Sequence, residues 1–109
     1  MGTPYQAGRR AEYAAIRELK TQGYNAVRTA GSHGPFDVVA WTPNELLFIQ
    51  VKKTSYPPAF ANILKSAADE LSAAGFPTHV ARGVEIWIRC IGSWYVYPLP
   101  FKHDTRRVT

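Results

Sequence analysis

The sequence predicts a small α/β domain, one central sheet sandwiched by helices in the order α-β-β-β-α-β-β-β. Three observations carry that reading. Apolar residues recur at helical spacing in two stretches, one near the start of the chain and one beginning at Pro57-Pro58. Between and after them lie short runs of β-branched and aromatic residues bounded by Gly, Pro and Asn. The chain has 109 residues, 46% apolar and 19% charged, which suits one domain with a real core.

The elements follow in order. Thr3-Pro4-Tyr5-Gln6 offers a capping threonine, a proline at the first helical position and a glutamine three residues after the cap. Ala11, Ala15, Ile16 and Leu19 then line one side of a helix over about residues 4–22, and Gly23 stops it. Residues 24–29 are β-compatible, and Ala30-Gly31-Ser32-His33-Gly34-Pro35 is a loop by composition. Residues 36–41 and 46–53 read as a hairpin closed by Thr42-Pro43-Asn44-Glu45. Pro57 and Pro58 launch the second helix, whose stripe is Phe60, Ile63, Leu64, Ala67 and Leu71 and whose cap is Gly75. Three more strands are expected at about 77–82, 84–91 and 94–98. Gly92-Ser93 joins the last two, with glycine placed for a type II′ turn. Residues 1–100 make one domain. Residues 101–109, with Lys102, His103, Arg106 and Arg107, form a basic tail expected to fray.

Composition excludes several classes. No apolar run reaches the roughly 18 residues of a membrane helix. The first ten residues lack the apolar core of a signal peptide, so a cytoplasmic location is expected. One cysteine, Cys90, excludes an internal disulfide and a thiolate zinc cluster, and His33, His79 and His103 are too scattered to replace it. A formal charge of +5 points to a polyanionic partner.

Four polar residues sit where apolar ones belong. Glu12 shares the inward face of the first helix with Ile16 and Leu19. By itself it is more simply an edge-of-core glutamate paired with an arginine or lysine. Asp37 opens an otherwise apolar strand, Phe36-Asp37-Val38-Val39-Ala40, although aspartate is a poor strand former. Gln50 and Lys52 lie two apart on the next strand and point the same way. The hairpin brings Asp37 beside them, on a face the helix carrying Glu12 is expected to cover.

These residues resemble a family. Gly8-Arg9-Arg10-Ala11-Glu12, Gly23-Tyr24, Val27-Arg28, Ala30-Gly31-Ser32, Phe36-Asp37-Val38-Val39-Ala40 and Ile49-Gln50-Val51-Lys52 are similar to archaeal-type Holliday junction resolvases of the PD-(D/E)XK nuclease superfamily. The resemblance implies a restriction-endonuclease-like fold, a central mixed β-sheet flanked by helices. It implies a homodimeric endonuclease that resolves four-way junction DNA with Mg²⁺, or Mn²⁺ as its substitute. Asp37 matches the metal-binding aspartate, Glu12 the helix glutamate of the site, Lys52 the lysine beside the attacking water and Ser32 a loop serine near the scissile phosphate. The Val51 carbonyl is a further candidate ligand. Arg28 matches a DNA-contacting residue, Arg9 and Arg10 are expected on the same DNA face, and His33 on the loop is a candidate phosphate contact. In the expected dimer, Arg9, Arg10, Arg28, Lys53 and Lys65 form one continuous DNA surface across both subunits. Gln50 departs from the usual glutamate. Its amide oxygen still suits a hard cation, but binds it less strongly. Trp87, Trp94, Tyr95 and Tyr97 are either core or a dimer face. Two alternatives stay open: another nuclease of this superfamily, acting on flaps or nicking, and a non-catalytic DNA-binding protein of the same fold.

Overall fold

Alternation along one strand sets the architecture. In residues Glu45–Lys53, Leu47, Ile49 and Val51 join one apolar core while Phe48 joins another on the opposite side. A strand apolar on both faces has to be covered on both. The computed structural model, which describes residues 4–29, 34–76, 83–99 and 106–108, shows how. The order is α1 (Pro4–Thr21), β1 (Asn25–Arg28), β2 (Val38–Thr42), β3 (Glu45–Lys53), a 3₁₀ turn (Pro57–Ala59), α2 (Phe60–Ala73), β4 (Val84–Cys90), β5 (Ser93–Pro98) and β6 (Arg106–Val108). Ala15, Ile16 and Leu19 of α1 pack on Val38, Ile49, Trp87 and Trp94. Ala67 and Leu71 of α2 pack on Val84, Ile86 and Ile88 across the sheet.

The described strands form a single sheet in the order β1-β2-β3-β4-β5-β6. Every neighbouring pair is antiparallel except β3 and β4, which run parallel from Phe48↔Val84 to Lys53↔Arg89. A parallel pair needs a long crossover, and α2 supplies it. Both helices end as their glycines predict. Gly23 and Gly75 take positive φ, and the next residues, Tyr24 and Phe76, donate N–H to the carbonyls of Leu19 and Leu71.

Three expectations change. The β4–β5 pairing Cys90↔Ser93 makes Ile91-Gly92 the turn, one residue earlier than expected. Both residues have positive φ, 49° and 78°, so the turn is type I′ and not II′. The tail does not simply fray, because Arg106–Val108 pair with β5 through Trp94↔Val108 and Val96↔Arg106. Backbone groups left open on β5 accept them as an edge strand. Trp87 and Trp94 are 1% and 0% exposed and meet edge to face at 5.3 Å, so they are core beneath α1 and cannot form a dimer face. The strand expected at 77–82, with His79, lies outside the described residues.

Gly83, which leads into β4, has φ +75°, and an added Cβ there would stand 2.4 Å from the Leu46 carbonyl oxygen. Its own carbonyl accepts the Phe48 N–H at 2.7 Å, so the close approach belongs to the β3–β4 junction. Gly83→Ala is therefore expected to cost about 2 kcal/mol or more, from the left-handed backbone and the clash together. Thermal unfolding measures this. A melting temperature equal to that of the unaltered chain would show that the junction relaxes freely.

Candidate active site

Asp37 sits one residue before β2, yet its backbone is already in the ladder. Its N–H donates to the Ile49 carbonyl at 2.9 Å, and its own carbonyl accepts the Thr29 N–H at 3.0 Å. Fixed on both sides, the residue presents Oδ2 to the Val51 N–H at 2.8 Å. The hairpin register thus joins Asp37 to the strand that carries Gln50 and Lys52, as expected. Burial pushes the Asp37 carboxyl above its ordinary pKa, and the charge of Glu70 adds to the rise. The Val51 N–H, Lys52 and Arg28 act against it.

Gln50 and Lys52 point to the α2 side of the sheet. There they meet Glu70, which the sequence reading did not single out. Gln50 Nε2 donates to Glu70 Oε2 at 2.6 Å, and Lys52 Nζ lies 3.1 Å from Glu70 Oε1. A signal was available. Glu70 falls three residues after Ala67 and seven after Ile63, so it flanks the apolar stripe as Glu12 flanks that of α1. Contact with a carboxylate also settles which way the amide faces, since only its NH₂ end donates. Gln50 is 3% exposed, and its Oε1 has no hydrogen-bond partner among the described residues.

Glu12 reaches the site from the other layer. The expectation that α1 covers the Gln50–Lys52 face is wrong, because α1 packs on the Ile49–Val51 side and α2 takes that face. The odd–even alternation of β3 leaves no other arrangement. Glu12 Oε1 lies 3.4 Å from Arg28 Nη1, and the Arg28 guanidinium sits 5.2 Å from the centre of the Tyr13 ring. The edge-of-core pairing considered for Glu12 is thus present. Its carboxyl is still raised above the ordinary value, first by burial and then by the charge of Asp37, with Arg28 and Arg9 opposing.

The remaining residues divide. The Arg28 side chain is only 15% exposed and pairs with Glu12. Arg10 and Lys53 line one groove on the α1 side, and Arg9 is exposed close by on the same helix. Lys65 is exposed on α2, in the opposite layer, so within one chain the basic residues fall on both sides of the sheet. Val51 contributes its N–H to Asp37. Ser32 and His33 lie outside the described residues.

Against known proteins, residues 3–63 match the family model of the archaeal Holliday junction resolvase, Hjc. The chain belongs to that family. Membership makes it a nuclease of the junction-resolving kind, and the matched segment holds Glu12, Asp37, Gln50 and Lys52 but ends before Glu70. The solved structure of Archaeoglobus fulgidus Hjc, a Holliday junction resolvase from an archaeal hyperthermophile, is 20% identical. It aligns over 94% of this chain and 83% of its own, with a TM-score of 0.56. A bacterial homing endonuclease, I-Ssp6803I, is 17% identical and aligns over 100% of this chain and 77% of its own, with a TM-score of 0.60. Both likenesses concern the fold, which is the restriction-endonuclease-like mixed sheet. No curated protein matches.

Two outcomes follow for the candidate site. An acid whose folded pKa lies above its unfolded value stabilises the fold only at low pH, and that contribution is lost as pH rises through the folded pKa. Asp37→Asn keeps an oxygen for the Val51 N–H and loses the buried charge. In EDTA it is expected to melt above the unaltered chain at pH 7, with the gain vanishing as pH falls toward about 3.9, the unfolded value. An equal gain at both pH values would mean that the buried charge is not its source.

Gln50→Glu places a second carboxylate against Glu70 where an amide now donates at 2.6 Å. Metal-free, it is expected to melt several degrees lower, and adding Glu70→Gln should recover most of the loss. A double variant no more stable than Gln50→Glu alone would show that the two side chains are not coupled.

Proposed function

We propose that the chain cuts four-way junction DNA by hydrolysis dependent on Mg²⁺ or Mn²⁺, at a site built from Asp37, Gln50, Lys52 and Glu12. The observation that carries this reading is the Gln50 amide oxygen. A buried carbonyl oxygen without a donor costs about 1–3 kcal/mol, and a hard cation satisfies it as a hydrogen bond would. The neighbouring donors are also oxygens, which suits Mg²⁺ or Mn²⁺ better than zinc. Among the described residues no three His, Cys, Asp or Glu side chains converge on one metal position. A cation here would be held by the Gln50 amide oxygen and the Val51 carbonyl together with Asp37 and Glu12.

Such a cation supplies Lewis-acid polarisation of the phosphodiester. The chain's own residues do the rest. Asp37, fixed by Val51, sets the position of the scissile phosphate. Lys52 orients the attacking water and offsets negative charge that develops on the phosphoryl oxygens. In the resting state Glu70 holds that ammonium in place. Attack at phosphorus breaks the bond to the 3′ oxygen, a proton passes to that oxygen, and a 5′-phosphate remains. Arg28 holds Glu12 at the rim.

A junction has two symmetric incision points, so a two-fold dimer gives each its own site. The support for a dimer comes from a different surface than Trp87 and Trp94. Val27, Trp41 and Leu46 are 49%, 38% and 53% exposed. Pairings Val27↔Val39 and Trp41↔Leu46 set them on one face, opposite the α1 core. We assign the dimer contact to that face.

Cleavage of a labelled four-way junction, a flap and a linear duplex, each across a Mg²⁺ series, tests the reading. The junction is expected to be cut in paired, metal-dependent fashion, and Asp37→Asn to bind it without cutting. Preference for flaps, or single incisions by a monomer in sedimentation, would favour a flap or nicking nuclease. Binding with no cleavage at any Mg²⁺ or Mn²⁺ concentration would leave a non-catalytic DNA-binding protein.

A further inference from the structure

The hairpin between β4 and β5 breaks two local rules at one residue. Ile91 occupies the first position of the type I′ turn with φ +49°, where a β-branched side chain is strained and asparagine is the ordinary choice. The same side chain is 78% exposed, so packing within the chain does not compensate the strain.

Its surroundings indicate what it meets. Ile91 lies at a groove of about 650 Å³, which Arg10, Lys53, Arg89, Thr54 and Ser55 also line, and among the described residues no carboxylate lines it. Arg89 is fixed over the ring of Trp94 at 5.0 Å, and Trp94 is fully buried, so that cation is set in place beforehand. Thr54 is tied to the same strand, its N–H donating to the Arg89 carbonyl at 3.0 Å. Three cations and two hydroxyls along one groove match a phosphodiester backbone. The groove lies on the α1 side, the layer from which Glu12 comes, while Lys52 faces α2 across the sheet.

We infer that this groove holds the backbone of one junction arm beside the cut, and that Ile91 is a wedge entering the base stack at the branch point. The inference rests on the junction-cutting reading and adds the source of its substrate preference. Apolar side chains at such positions insert between base steps and unstack them. Insertion into a continuous duplex has to break a stack. At a branch point the stack is already interrupted, so the same wedge favours junctions over linear DNA.

Ile91→Asn separates the wedge from the fold, because asparagine suits the turn. It is expected to melt several degrees above the unaltered chain and to bind linear duplex equally well. Its affinity for the junction should fall on the order of tenfold, the loss of one buried apolar side chain. A 2-aminopurine base at the branch point should brighten with the unaltered chain and stay dim with Ile91→Asn, while Ile91→Leu should retain both affinity and signal. Lys53→Gln should reduce the salt slope by about one for both DNAs. If Ile91→Asn binds and unstacks the junction as the unaltered chain does, the wedge is overturned and the junction reading stands. If the unaltered chain shows no preference for junctions, both fall.

Discussion

The period of two along β3 is the constraint on which the rest depends. Residues Leu47, Ile49 and Val51 belong to the core under α1, and Phe48 to the core under α2. Further along, the same α2-facing positions hold Gln50 and Lys52, so polar groups appear in a layer otherwise filled by Val84, Ile86, Ile88 and Phe48. Because β3 pairs β2 on one side and β4 on the other, neither face can rotate toward water without breaking both ladders. The strand therefore presents its amide and its ammonium at fixed places. It also binds Asp37 to itself through the Val51 N–H.

Charge balance around that strand explains why glutamine is tolerated at position 50. Asp37 is already raised by burial and by the charge of Glu70, and Glu12 by burial and by Asp37. A carboxylate at 50 would add a third source of repulsion next to Glu70. A neutral amide instead gives Glu70 a donor and keeps an oxygen facing the other way. Glu70 also engages Lys52, so one exposed carboxylate orients two residues of the site. The acids are held at a cost that a cation would offset, which is the electrostatic condition expected of a metal-dependent centre before the metal arrives.

The two layers carry different surfaces. The α1 side carries the groove with Arg10, Lys53 and Arg89, and the hairpin tip at Ile91. The α2 side carries Lys65 and, beyond the reach of α2, the apolar face with Trp41 and Leu46. The proposed site draws on both layers, with Gln50 and Lys52 of β3 facing α2 and Glu12 coming from α1. This division follows from covering a sheet on both faces, since each helix leaves uncovered whatever it does not span.

The sequence by itself determined the local elements and, through its motifs, the family. Helical spacing placed α1 and α2, glycines 23 and 75 ended them, and the polar breaks at Asp37, Gln50 and Lys52 marked residues that the hairpin brings together, because each of these signals is carried by neighbours within a few residues. Only the tertiary structure decided which helix covers which face. That choice depends on the crossover between β3 and β4, and no local pattern records it. From it came the partnership of Glu70 with Gln50 and Lys52, residues about twenty positions apart, and the confinement of Arg28 to Glu12. It also decided that Trp87 and Trp94 are core, since aromatic residues at alternating positions fit a core and an interface equally well until the helix above them is known. The turn at Ile91-Gly92 was likewise settled by strand register: both Ile91-Gly92 and Gly92-Ser93 close a hairpin on paper, and only the pairing Cys90↔Ser93 chooses between them.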